Sequence, residues 1–214
     1  MILKIENICK KFKDVDVLKD VNMELTGGKI YGFIGRNGSG KSVLLKIICG
    51  FYYPSSGIIL LDNYNYIKKN EFPKSTRALI EKPSFIPDLT GYENLLLLAS
   101  IQNKITKDDI EKALDDVNLI SEKNKKYSKY SLGMKQKLGI AQVLMENPNI
   151  MIFDEPLNGI ESETADKIRR ILIQKKKEGK IIIVASHIKE DIDNLADVIY
   201  KFDNNTVVEI KDKK

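Results

Sequence analysis

Five side chains of this 214-residue chain are of types that together could handle a phosphate anhydride: Lys41, Ser42, Asp154, Glu155 and His187. The first two close the run Gly35, Arg36, Asn37, Gly38, Ser39, Gly40, Lys41, Ser42, which follows the apolar residues Ile30 to Ile34 and precedes a helical pattern at Leu44, Leu45, Ile47 and Ile48. That context is strand, loop, helix. Glycines at 35, 38 and 40 let the backbone turn tightly and aim its N–H groups inward, while the N-terminus of the following helix adds partial positive charge. A lysine placed like Lys41 reaches the β and γ phosphates, and a hydroxyl placed like Ser42 turns toward Mg²⁺. The segment from Gly35 to Ser42, with Val43 behind it, is therefore expected to cradle a nucleoside triphosphate. A bland Gly-rich turn would not bring the spacing, the lysine and the strand–helix context into agreement.

A phosphate cradle alone does not separate kinases, GTPases, motors and transport ATPases, but the later residues narrow the choice. Ile150 to Phe153 is a continuous apolar run, as expected of a parallel strand buried on both faces, and it ends in Asp154, Glu155 and Pro156. Carboxylates at the carboxyl end of such a strand face the ligand crevice. Asp154 is suited to hold Mg²⁺ or its water, and Glu155 to orient and deprotonate an attacking water. A solvated Asp–Glu turn is disfavoured by the apolar run before it and the proline after it. His187, the only histidine, follows Ser186 at the end of the apolar run Ile181 to Ala185. A lone histidine is more often structural than catalytic, but a strand end on the same side as Lys41 and Glu155 favours a functional role.

Between these elements lies Tyr130 to Leu138, YSLGMKQKL. Ser131 precedes apolar positions at Leu138, Ala141, Leu144 and Met145, stopped by Asn147 and Pro148, and reads as the N-cap of one helix. Its terminus would attract an anion; an ordinary capped helix is the other reading. Taken in order, GRNGSGKS, YSLGMKQKL, FDEP and Ser186–His187 resemble the nucleotide-binding domain of the ATP-binding cassette (ABC) family, over a stretch from Ile2 to about Ile210.

The resemblance implies an α/β fold of the P-loop NTPase type, with a mainly parallel central sheet, an N-terminal antiparallel β-subdomain and an inserted α-helical subdomain. It implies an ATPase subunit of a transporter, using ATP and Mg²⁺, in which two cassettes close around two ATP molecules and move a separate membrane permease. Ser131 and Gly133 would then hold the γ-phosphate of ATP bound to a second copy or to a related subunit. His187 would contact the γ-phosphate of its own nucleotide. Phe12 stands where the family carries an aromatic that stacks on adenine, a contact worth roughly 1–3 kcal/mol and tolerant of base identity; a core aromatic closing the first strand is the alternative.

Four positions depart from the family pattern: Leu132 replaces glycine, Met134 replaces glutamine, Glu161 in PLNGIE replaces aspartate, and Glu81 in ALIEKPSF replaces glutamine. Glu81 is expected to join Ser42 and Asp154 at the metal. With the following KPSFIPDLTGYENL it resembles exporters of antimicrobial peptides, including bacitracin and lantibiotic systems. Lys82 to Asp88, with two prolines and Phe85, reads as a stiff exposed loop suited to receive a short permease helix, so the permease contact is expected near Glu81 to Asp88.

The elements that must position these residues follow from periodicity. Short apolar strands surround the phosphate loop as far as about Ile80. From Thr90 to Asn147 the pattern is helical, with Ile110, Ala113, Leu114 and Val117 behind a capping-box variant at Thr106 and Asp109. After Asn149 strand and helix alternate, Ile168, Ile171 and Leu172 sharing a helical face that Gly179 ends. One ABC ATPase domain is expected over residues 1–214, its α/β core made of residues 1–88 and 148–214 and its helical subdomain of residues 89–147. The net charge of +5 is spread along the chain, and runs such as Lys123, Lys125, Lys126 and Lys129 read as solvated faces, so nucleic acid is not an expected partner.

Cys9 and Cys49 read as small buried hydrophobes. No segment approaches the ~20 apolar residues of a membrane span, and the N-terminus begins a strand alternation rather than a secretory signal. The expected location is cytoplasmic, peripheral on the inner membrane face through the permease. A soluble regulatory or nucleic-acid-linked ABC-type ATPase is the competing reading, disfavoured by the lack of a long coiled coil, zinc module or second cassette. A nucleoside kinase would have no use for YSLGMKQKL or His187.

Overall fold

The computed structural model describes residues 1–212, with side chains described to Ile210; Lys213 and Lys214, the end of the expected 148–214 segment, lie outside the described residues. Two sheets organise the chain. In the smaller, β1 (Ile2–Phe12) pairs antiparallel with β2 (Val15–Thr26) on one side and with β4 (Ser56–Leu61) on the other. Its buried face holds Leu3 and Ile5, and Val21, Met23 and Leu25, at period two together with Ile59, while Ile8 and Leu18 share that face across the register shifts after Ile5 and after Ile8.

The larger sheet is six-stranded in the order β5 (Thr76–Leu79), β6 (Ile150–Asp154), β7 (Ile181–Ser186), β3 (Lys29–Ile34), β8 (Val198–Asp203), β9 (Thr206–Asp212). Neighbours are parallel except for the closing β8–β9 hairpin. Every residue of β6 and β7 is buried, which explains why these strands read as unbroken apolar runs rather than alternating ones. Alternation survives in direction: Ile181, Ile183 and Ala185 point to one core, with Tyr31 and Phe33, whereas Ile182 and Val184 point to the other, with Ile30, Met151 and Phe153.

Helices cover both faces. Helix α1 (Lys41–Ile48) leaves the phosphate loop and buries Leu44, Leu45, Ile47 and Ile48 against the smaller sheet's core. Between β5 and β6 come α2 (Gly91–Gln102), α3 (Lys107–Asp116) and α4 (Leu132–Leu144). The expected Thr106–Asp109 box caps α3, and a second reciprocal box, unremarked in the sequence, caps α2: Glu93 N donates to Thr90 Oγ1 at 3.1 Å and Thr90 N to Glu93 Oε2 at 2.7 Å. Helices α5 (Ser162–Lys177) and α6 (Lys189–Asp193) complete the alternation, with Ile168 and Leu172 of α5 fully in the core.

Cys49 is buried as expected, its thiol pushed up to about 12 by desolvation. Cys9 is only half-buried, and its Sγ accepts the N–H of Asp20 at 3.3 Å. Among the described residues no helix is long and apolar enough to cross a membrane.

Candidate active site

Three neighbouring strands, β6, β7 and β3, end on the same side, and each ends in a residue the sequence singled out: Asp154 and Glu155, Ser186 and His187, and the phosphate loop. This is the crevice at the carboxyl ends of a parallel sheet. A hollow of about 180 Å³ there is lined by Asn37 to Val43, Asp154, Glu155 and Val17.

The loop is shaped for a ligand. Gly40 has φ +100° and an added Cβ would meet Leu18 and the Val17 carbonyl at 2.8 and 3.0 Å, so only glycine fits before α1. The Ser39 hydroxyl oxygen is buried without a hydrogen-bond partner among the described residues, a donor left for an anion. Lys41 is buried, and its ammonium donates to the carbonyls of Gly35 (2.6 Å) and Arg36 (3.2 Å). Burial pushes its pKa down from the ordinary lysine value, with the charges of Glu155 and Asp154 opposing.

Ser42 Oγ donates to Asp154 Oδ2 at 2.5 Å, so the two oxygens expected to serve a metal already converge. Burial raises the Asp154 pKa, while the Ser42 hydrogen bond opposes it. A hydroxyl and a buried carboxylate are hard oxygen donors that fit Mg²⁺, which takes few protein ligands and fills its remaining positions with water and phosphate. No cluster of three or more His, Cys, Asp or Glu occurs among the described residues.

Glu155 sits at φ +50°, a left-handed conformation uncommon outside glycine and a feature of strained functional positions. The turn aims its carboxylate back at β7. There it accepts from His187 N (2.9 Å), Ser186 Oγ (3.1 Å) and Asn158 Nδ2 (3.4 Å), and its Oε1 lies 2.8 Å from His187 Nδ1. His187 also borders a hollow of about 440 Å³ with Arg36, Asn37, Lys189 and Lys201.

Ser131 caps α4 as expected, its Oγ accepting from Met134 N at 3.2 Å. Neither Ser131 nor Gly133 lines the hollow around Lys41. Gly133 instead packs on the loop after β6, where a Cβ would stand 2.6 Å from the Gly159 carbonyl. The sequence analysis missed Gln136, whose Nε2 donates to the carbonyls of Glu155 (2.9 Å) and Pro156 (3.2 Å). Only its place within YSLGMKQKL signalled it. Glu161 is drawn to Lys137 at 2.7 Å, and that contact lowers its pKa.

Three of the expected residues make contacts that the sequence did not signal. Phe12 is 41% exposed, which removes the core-aromatic reading; its ring meets Tyr52 edge-on at 5.7 Å, Lys10 Nζ lies 4.8 Å from its centre, and it does not line the phosphate hollow. The loop Lys82 to Asp88 is largely exposed as expected, but Phe85 turns inward. It is half-buried, edge-on to Tyr127 at 5.3 Å, and Ile86 beside it is the exposed apolar residue. Pro83 to Pro87, Asn94, Leu97, Leu98 and Gln142 instead form a groove of about 530 Å³. Glu81, finally, forms an ion pair with Lys46.

The sequence profile described as "ABC transporter" matches residues 18–158, well over half of the chain. The chain belongs to the ABC transporter family. It is 40% identical over 201 residues to the bacitracin transport ATP-binding protein BcrA of Enterococcus faecalis, covering 92% of this chain and 65% of that protein. It is 33% identical over 198 residues to the lantibiotic transport ATP-binding protein SrtF of Streptococcus pyogenes, covering 92% of this chain and 85% of that one. Thus the chain spans just under two thirds of the length of BcrA. Among solved structures, the ATP-binding cassette MJ0796, a dimer in a post-hydrolysis state bound to ADP and Pi, superposes with a TM-score of 0.87 at 25% identity over 98% of both chains. The P-loop ABC fold expected from the motifs is therefore the fold of this chain.

Proposed function

We propose that this chain is the ATP-binding and hydrolysing subunit of an ABC transporter that exports an antimicrobial peptide, working with a separate membrane permease on the inner face of the membrane. The observation that carries the ATPase reading is the convergence of Lys41, Ser42, Asp154, Glu155 and His187 at three adjacent strand ends. The export reading rests on similarity to the bacitracin and lantibiotic transport proteins.

ATP enters as substrate. The loop from Gly35 to Val43 binds its phosphates, Lys41 exchanging its two carbonyl contacts for phosphate oxygens, and Phe12 offers an exposed ring to the base. Ser42 and Asp154 would hold Mg²⁺, with Glu81 as a third oxygen donor, and the ion when bound would supply positive charge to offset that of the phosphates. Glu155 takes the proton of the attacking water, and His187 and Ser186 fix the carboxylate's direction until then. Ser131 and Gly133 serve the γ-phosphate on the partner cassette. The groove of Pro83 to Pro87 receives a short permease helix against Ile86 and Leu97. The α/β core of residues 1–88 and 148–214 and the helical subdomain of residues 89–147 work as one domain.

Glu155→Gln keeps an acceptor oxygen for its neighbours but removes the base, and is expected to cut hydrolysis by about 10²–10⁴-fold while sparing ATP binding. Near wild-type phosphate release would refute the assignment. The transporter reading is tested by purification from detergent-solubilised membranes, where a hydrophobic permease should accompany wild type and be lost with Ile86→Asp; a chain that elutes alone in both cases would sink it.

A further inference from the structure

Lys46 and Glu81 form an ion pair that ties the last turn of α1 to the segment after β5. The two partners are unequally free. The Lys46 side chain is 20% exposed, its ammonium 5.3 Å from the centre of the Tyr52 ring, whereas the Glu81 side chain is 63% exposed. Glu81 also adopts φ +63°, a left-handed conformation that glutamate seldom takes. Lys46 follows Ser42 by four residues, which puts both on one face of α1, a single turn apart. The lysine thus holds the carboxylate one helical turn beyond the Ser42–Asp154 pair.

We propose that Lys46 is a positioning residue that competes with the divalent cation for Glu81, so that Glu81 reaches the metal only by leaving the lysine. The inference rests on the reading of Glu81 as a metal ligand. An uncharged side chain at position 81 would form no such ion pair, and the glutamate makes metal capture an exchange between two cations.

The test is calorimetric titration of the chain with AMP-PNP, in EDTA and again in saturating Mg²⁺, read as the ratio of the two dissociation constants. Lys46→Met should raise the Mg²⁺-dependent gain by about three- to five-fold, the scale of a partly exposed ion pair, whereas Lys46→Arg should leave it at the wild-type value. Glu81→Gln should lower the gain, and adding Lys46→Met in that background should change nothing further. An unchanged gain in Lys46→Met beside a lowered one in Glu81→Gln would overturn the competition and keep Glu81 as a ligand. An unchanged gain in Glu81→Gln would remove the ligand reading itself. A rise of equal size with and without the glutamate would mean that the lysine acts on the nucleotide directly, and would also overturn the proposal. The titrations in EDTA report whether each variant still folds and binds.

Discussion

Asp154 is the residue at which function and stability pull apart. Burial raises its pKa, so the folded chain disfavours the ionised form that metal binding needs. A carboxyl raised in the fold lends its full stability below its unfolded pKa, near 4, and loses it as pH rises through the folded value. At neutral pH without Mg²⁺ the ionised group is therefore a cost. Asp154→Asn, which can still accept from Ser42, should melt at a higher temperature than wild type at pH 7.5, with the gap closing as pH falls toward 4. Each kcal/mol recovered would appear as about 2–4 °C in Tm for a chain of this length. Thermal melts across that range check it, and a variant less stable than wild type at pH 7.5 would contradict it. The same residue was easy to read in the sequence, because an acid ending a fully apolar run has few structural uses. Val17, Gln136 and the Lys46–Glu81 pair were not legible: each acts across a tertiary approach that neither spacing nor periodicity encodes.

At the level of elements, the approach of α4 to the loop after β6 decides how the site is assembled. Gly133 allows it, since any Cβ would stand 2.6 Å from the Gly159 carbonyl, and Gln136 locks it through two main-chain carbonyls. Gly133→Ala should push the two apart and cost about 1–3 kcal/mol, the range of overpacked contacts, measured by urea denaturation. An unchanged midpoint would show that the loop yields freely. Strands β3, β6 and β7 and the Ser131 and Thr106 caps could be read beforehand because their signals are local: continuous apolar runs, a hydroxyl before a helix, an acid three residues on. Phe85 and Ile86 illustrate the opposite case. Two neighbouring apolar residues in a proline-rich loop look alike in sequence, and only the position of Tyr127 decides which tucks in and which faces outward.

For the whole molecule, Ser131 and Gly133 stand apart from the Lys41 hollow, and the proposed function has them complete the site of a second copy. Light scattering of Glu155→Gln should show monomer without nucleotide and dimer with Mg²⁺-ATP; a dimer equally stable without nucleotide would count against closure around ATP. The hydrogen bonds from Gln136 carry a further consequence for that dimer. Ser131 caps the helix that carries Gln136; in the proposed dimer the first would face a neighbour's phosphate, while the second grips the main chain of this copy's own Glu155. A shift of α4 on one side is then felt by the base on the other. Linkage makes such coupling reciprocal, so each nucleotide would tune its twin's affinity by the same factor. Two cassettes wired in this way would titrate with a Hill coefficient above one, and Gln136→Ala, which cuts the wire while leaving both ends in place, should return it toward unity.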